Sequence, residues 1–118
     1  MIEKVSKITA KEIANYLRLD DYNEKELGTY LNIAKDYISN YTGIPITSSV
    51  EGVETLDTFS DFIIVVYILC QDMYDNRAMY VDSSNINKVV QTILDMHTRN
   101  NLWLMQVIII KKYLYIKL

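Results

Sequence analysis

The run Phe62 to Cys70 is apolar without a break, and it opens directly into a polar cluster, Asp72-Met73-Tyr74-Asp75-Asn76-Arg77-Ala78-Met79. A helix that crosses a bilayer needs about 20 apolar residues, so this run is too short to span one. It is long enough for a helix that is apolar nearly all round. Such a helix is stable only at the centre of a domain, with other elements packed on every side. Whatever else the chain forms must therefore cover that helix and leave its polar end in water.

The chain has 118 residues, enough for one domain. A domain of this size buries about two-thirds of its surface and folds without metals or disulfides. Half of its residues are hydrophobic, which argues against a disordered chain. Three Gly and one Pro supply too few turn residues for an all-β fold. Cys70 is the only cysteine and lies in the apolar run, so it reads as a small core residue in a reducing compartment. His97 is the only histidine, and one His with one Cys falls short of a usual zinc ligand set. The first ten residues are charged and lack the hydrophobic centre of a secretory signal, so a cytoplasmic protein is expected. Ten Tyr fit two readings, surfaces that become interfaces or an AT-rich coding sequence.

Capping signals and apolar stripes divide the chain into four helices, expected near 9–19, 23–41, 58–80 and 85–98. Thr9 with Glu12 three residues later reads as a capping box, and Ile13, Tyr16 and Leu17 share one face. Asp20-Asp21 then reads as a solvated turn, because the spacing of a calcium loop is missing. Asn23 caps the second helix, and Glu24 and Glu26 suit its positive end. Its stripe is Leu27, Tyr30, Leu31, Ala34, Tyr37, Ile38 and Tyr41, with Gly43 as a left-handed stop. Gly28 inside it costs about 1 kcal/mol relative to Ala, and close helix packing would account for it. Residues 44–57 read as a linker holding a short strand or an irregular loop. Thr58 is expected to cap the third helix, with Asp61 in its first turn. Ser84 or Asn85 is expected to start the fourth, with Ile86, Val89, Val90, Ile93, Leu94 and His97 inward.

The last residues differ from this body. Residues 1–101 carry a net charge of −6, whereas residues 102–118 carry +3 and no acid. Val107-Ile108-Ile109-Ile110 is β-branched, and Lys111, Lys112, Tyr113 and Tyr115 precede or alternate with Leu114, Ile116 and Leu118. Period-two alternation reads as a strand, and a strand this apolar needs a partner. The division is thus a helical domain over 1–102 and an apolar basic tail over 103–118. The tail is expected to leave the body and pair with a neighbouring chain by adding to a sheet edge; a fifth helix folded back on the body is the other reading.

No catalytic constellation stands out. The chain has no Gly-rich phosphate loop, no Gly-x-Ser-x-Gly and no His-Glu-x-x-His, so an enzyme is not expected. Asp72 and Asp75, three apart on a helix, would share a face and with Asp82 form a candidate metal cluster. Solvated carboxylates are the commoner outcome of such spacing, and no cofactor or metal is expected. Arg77 suits a phosphate or a partner's carboxylate, or a forked contact that fixes its own helix end; the last is expected, to a carboxylate or backbone carbonyl.

Several segments together resemble the small head–tail connector (adaptor) proteins of long-tailed bacteriophages. They are Ile8-Thr9 with Tyr16 to Asp20, Ala34 to Gly43, the apolar helix ending in Tyr74-Asp75-Asn76-Arg77, and Val90 with Ile93 to His97 and Asn101-Leu102. Tyr74 to Arg77 is the most specific part, and the similarity spans residues 8–102. The resemblance implies an all-helical fold and a structural role in the virion neck, after assembly in the host cytoplasm. It further implies a ring of roughly twelve identical copies below the portal protein, above the next neck or tail-completion protein. DNA would pass through the channel without specific binding, and no membrane is involved. Members of that family commonly stop near Leu102, so Val107, Ile108, Ile109, Ile110, Lys111, Lys112, Tyr113 and Tyr115 are an addition, expected to dock on a partner, the portal first and a second connector subunit next. Physics competes with two other classes. A small helical DNA-binding or regulatory module is compatible with short-turned helix pairs, but its recognition helix would be basic, and these helices are neutral or acidic. A membrane-associated protein would use the tail as an amphipathic helix, against its strand-like alternation.

Overall fold

The computed structural model describes residues 3–81 and 87–98. Four helices form a compact all-α bundle: α1 (Ala10–Tyr16), α2 (Glu24–Thr42), α3 (Phe62–Asn76) and α4 (Lys88–His97). There is no strand among the described residues. The tail over 103–118, including every docking residue expected there, lies outside the described residues, as does the turn at 82–86.

α3 takes the central place that its composition requires. It packs against α1, α2, α4 and an N-terminal 3-10 turn, Val5–Lys7. Phe62, Val65, Val66, Leu69, Cys70 and Met73 are buried along it. α2 lays its stripe on that core with Leu27, Tyr30, Leu31, Ala34 and Ile38 buried. Each fully buried aliphatic side chain contributes about 1.5–3 kcal/mol relative to exposure, so these two helices carry most of the core's apolar stabilisation.

The caps follow hydrogen-bonding chemistry. Thr9 Oγ1 accepts from Glu12 N–H at 3.3 Å, and Asn23 Oδ1 accepts from Glu26 N–H at 3.1 Å. Gly43 closes α2 with φ +78°, where its N–H donates to Ser39 O. Thr42 is fully buried in the last turn, but its hydroxyl donates to Ile38 O at 2.7 Å and accepts from Ile44 N–H.

Four helix boundaries and one face differ from expectation; α1 stops at Tyr16 rather than near 19, and α3 at Asn76 rather than near 80, each at an arginine in left-handed backbone one or two residues on. Thr58 does not cap α3. Its Oγ1 accepts from Thr55 N–H at 3.0 Å, which closes a separate 3-10 turn, Leu56–Thr58. Phe59 is then extended and α3 begins at Phe62. The linker over 44–57 holds no strand; Ile44 and Leu56 are buried, and Leu56 N–H donates to Pro45 O. α4 starts at Lys88 rather than at Ser84 or Asn85, because Asn87 Oδ1 accepts from Val90 N–H at 2.9 Å. On α4 only Val90 and Leu94 are buried, while Val89 is 57 % exposed. Among the described residues α4 packs mainly on α2 and α3, which buries one narrow stripe, and Val89 falls beside it. Gly28 is not a close-packing site, since a Cβ there would meet nothing within 4 Å.

The N-terminal turn was not foreseen. Val5 and Ile8 are buried in the core, and Ser6 N–H donates to Asp57 Oδ1 at 2.8 Å. The two 3-10 turns thereby close one end of the bundle.

Candidate functional site

The segment Tyr74 to Arg77 builds the end of α3. Arg77 stands in the left-handed region, at φ +50° and ψ +39°. Its N–H donates to Tyr74 O, and Ala78 N–H donates to Met73 O at 3.0 Å. That pair of bonds is the Schellman pattern, which satisfies carbonyls that the helix end would otherwise orphan. Gly usually fills this position, because a Cβ there costs about 1–2 kcal/mol. Arg77 offsets part of that cost with its side chain. The guanidinium lies 4.3 Å above the centre of the Tyr74 ring and pairs with Glu26 Oε1 in the first turn of α2.

Glu26 is the hub of this corner. It accepts from Arg77 and from the Tyr30 hydroxyl, the latter at 3.1 Å. Burial first, and the hydrogen bond to Glu26 second, push the Tyr30 hydroxyl above its usual titration range. Asn76 donates from Nδ2 to Asp72 O at 2.9 Å and to Asp72 Oδ1 at 3.0 Å. Asp75 is exposed. The four residues therefore act as a joint: Tyr74 is the platform, Arg77 the clasp to α2, Asn76 a brace within the helix, and Asp75 faces water. Open grooves flank the clasp, one bordered by Asp21, Tyr22 and Asn23 and the other by Lys25, Thr29 and Met79.

Among the described residues no group of three or more His, Cys, Asp or Glu side chains is placed to hold an ion. Asp82 lies outside them. No helix among the described residues is long and apolar enough to cross a membrane. Cys70 is buried, and burial pushes its thiol up to about 12, far from the range of a reactive thiolate.

His97 makes a second joint, between the end of α4 and the start of α3. Its Nε2 lies 2.7 Å from Asp61 Oδ2. Its ring packs against Phe59 and Phe62, at centroid distances of 4.3 and 4.9 Å. Tyr41 adds a third tie by donating its hydroxyl to Asp95 Oδ1 at 2.6 Å, which raises the hydroxyl's pKa. Tyr16 stacks on Tyr67 at 4.8 Å with the planes 10° apart, joining α1 to α3. Reading the sequence placed Glu26, Asp61 and Asp95 only by their own helices. Their partners lie 51, 36 and 54 residues away, and no local pattern signals such a pairing.

Apolar surface remains outside on two sides. A cleft of about 750 Å³ runs between the N-terminal segment and the outer face of α3, floored by Ile63, Ile64 and Tyr67. On α4, Val89 and Met96 are 57 % and 70 % exposed, with the half-buried Ile93 between them at helical spacing. Comparison with family models, with curated proteins and with solved structures finds no match for this chain.

Proposed function

We propose that this protein is a structural subunit of a bacteriophage neck, a head–tail connector that assembles as a ring below the portal protein and extends the DNA channel. The observation that carries the reading is the pairing of two unlike apolar surfaces on one small body, the α3 cleft and the Val89–Ile93–Met96 stripe of α4. A closed ring is built from heterologous contacts, in which each copy offers two different patches. Exposed apolar patches on a small domain mark interaction sites more often than they mark catalysis.

Two further features support it. In the segment that carries the resemblance, Tyr74 to Arg77, the arginine contacts Tyr74 and Glu26 of its own chain, which suits an architectural role. The body over 1–101 is acidic, with a net charge of −6. An acidic channel wall repels phosphates and lets DNA slide past.

The test is direct. Portal protein and this chain are mixed, and the particles are imaged. A ring of density of this mass seated under the portal, with a central opening wide enough for duplex DNA, is the expected result. A neck particle with no copy of this chain beneath the portal ends the proposal.

A further inference from the structure

The α3 cleft has an apolar floor and a rim that includes Glu3, Asp57 and Ser60. Ile64 on its floor is 40 % exposed, although it belongs to the most apolar helix of the chain. Glu12, on neighbouring α1, acts on the Tyr67 hydroxyl at the inner end of the cleft and raises its pKa after burial does. Lys4 is the cation on the rim, so acids outnumber it. The surface thus asks for an apolar occupant with positive charge.

The chain carries a segment of that chemistry. Residues 107–116 hold Val107 to Ile110, Leu114 and Ile116, with Lys111 and Lys112 among them and no acid. Adding that segment to a sheet edge, as its alternation suggests, needs an edge, and the described body has no strand. A cleft that receives side chains is the surface this body does offer.

We propose that the α3 cleft receives residues 107–116 of a second copy of this chain. The contact rests on the ring reading, whose head-to-tail sense sets the segment of one copy against the cleft of the next. α4 ends with His97 against Phe59, Phe62 and Asp61, on the side of α3 that faces the core. Successive helix residues turn by about 100°, so Ile64 points some 200° away from Phe62. The end of α4 therefore lies across α3 from the cleft.

The experiment uses the full chain and disulfide trapping. One copy carries Ile64→Cys and another carries Ile109→Cys, and the two are mixed and oxidised. Cys70 is buried with its thiol held protonated, so it stays out of the reaction. The expected product is a covalent dimer of unlike copies, at least tenfold above either variant alone. A chain carrying both substitutions should give a ladder of covalent multimers. Full-length Ile64→Arg should need at least tenfold more protein to self-associate, with an unchanged Tm. Three results overturn the proposal: no cross-link at millimolar protein, a double variant that closes only within one chain, or self-association unaffected by Ile64→Arg. The ring reading fails separately. A trapped dimer that never seats under the portal leaves this contact standing and removes the ring, whereas a portal-bound ring without the cross-link does the reverse.

Discussion

Two arginines occupy left-handed backbone where glycine is usual, Arg18 at φ +60° and Arg77 at φ +50°. Both complete the Schellman pattern, since Arg18 N–H donates to Asn15 O and Leu19 N–H donates to Ala14 O at the end of α1. They differ in their side chains. Arg18 is exposed on a turn, whereas Arg77 lies on Tyr74 and clasps Glu26. Arg18→Gly should therefore stabilise the protein by roughly 0.5–1 kcal/mol, the left-handed penalty less the extra entropy of glycine in the unfolded chain. Arg77→Ala keeps the strained backbone and loses both contacts. The guanidinium side chain is 61 % exposed, so solvent screens the pair. The two contacts together are then worth about 1 kcal/mol, and Arg77→Ala should lower stability by that much. Arg77→Gly should lie close to wild type, because relief of strain offsets the lost clasp. Chemical denaturation of the three variants checks all of these values. Cys70 adds a pH dependence. Its folded-state pKa is raised, so the stability it contributes is present below about pH 9, its ordinary value, and is lost as pH rises toward about 12. Tyr30, Tyr37, Tyr41 and Tyr67 are shifted in the same direction and add to the alkaline loss from about pH 10 upward. Denaturation midpoints should fall across that range, and Cys70→Ala should flatten the early part of the fall.

At the scale of elements, the helices with side-chain caps and one-sided stripes were legible in the sequence. Thr9 and Asn23 cap as their chemistry dictates, and α2 is displaced from its expected range by a single residue at each end. Where reading failed, a competing hydrogen bond or an unusual backbone had won. Thr58 has the chemistry of a cap but spends it on Thr55, four residues before α3 starts. The end of α3 carries Arg in a conformation that sequence rules reserve for glycine, so the helix stops at Asn76 and not near 80. Of the candidate site, Tyr74 to Arg77 stood out from the start, but its anchor Glu26 did not, because a contact between residues 51 apart depends on the tertiary packing of α2 on α3. Gly28 gives the corresponding prediction. It sits in the second turn of α2 with open space where a Cβ would be. Gly28→Ala should stabilise the isolated protein by about 1 kcal/mol, read as a rise in Tm. At the other end of the bundle, Asn87→Ala should cost about 1 kcal/mol through loss of the bond to Val90 N–H that starts α4.

For the whole molecule, charge separates the architectural reading from its strongest rival. A helical module that grips DNA neutralises phosphates with Lys and Arg, and its affinity falls steeply with salt. Here the body over 1–101 has a net charge of −6, whereas residues 102–118 hold three lysines and no acid. α3, the central helix, carries Asp72 and Asp75 and no Lys or Arg of its own. α4 carries Lys88 at its start and Asp95 in its last turn, so neither presents a basic face. At an ionic strength near 0.15 M the Debye length is about 8 Å, so exposed charges farther apart than that act separately. Random duplex DNA should therefore give no mobility shift with the full chain at that ionic strength, at concentrations up to tens of micromolar. Lowering the salt should bring out at most a weak shift, and Lys111→Glu with Lys112→Glu should reduce it, because the tail holds three lysines and no acid. A tight shift that survives those substitutions would place a DNA-gripping surface on the helical body. A ring whose acidic wall lets DNA slide would then give way to the DNA-binding module.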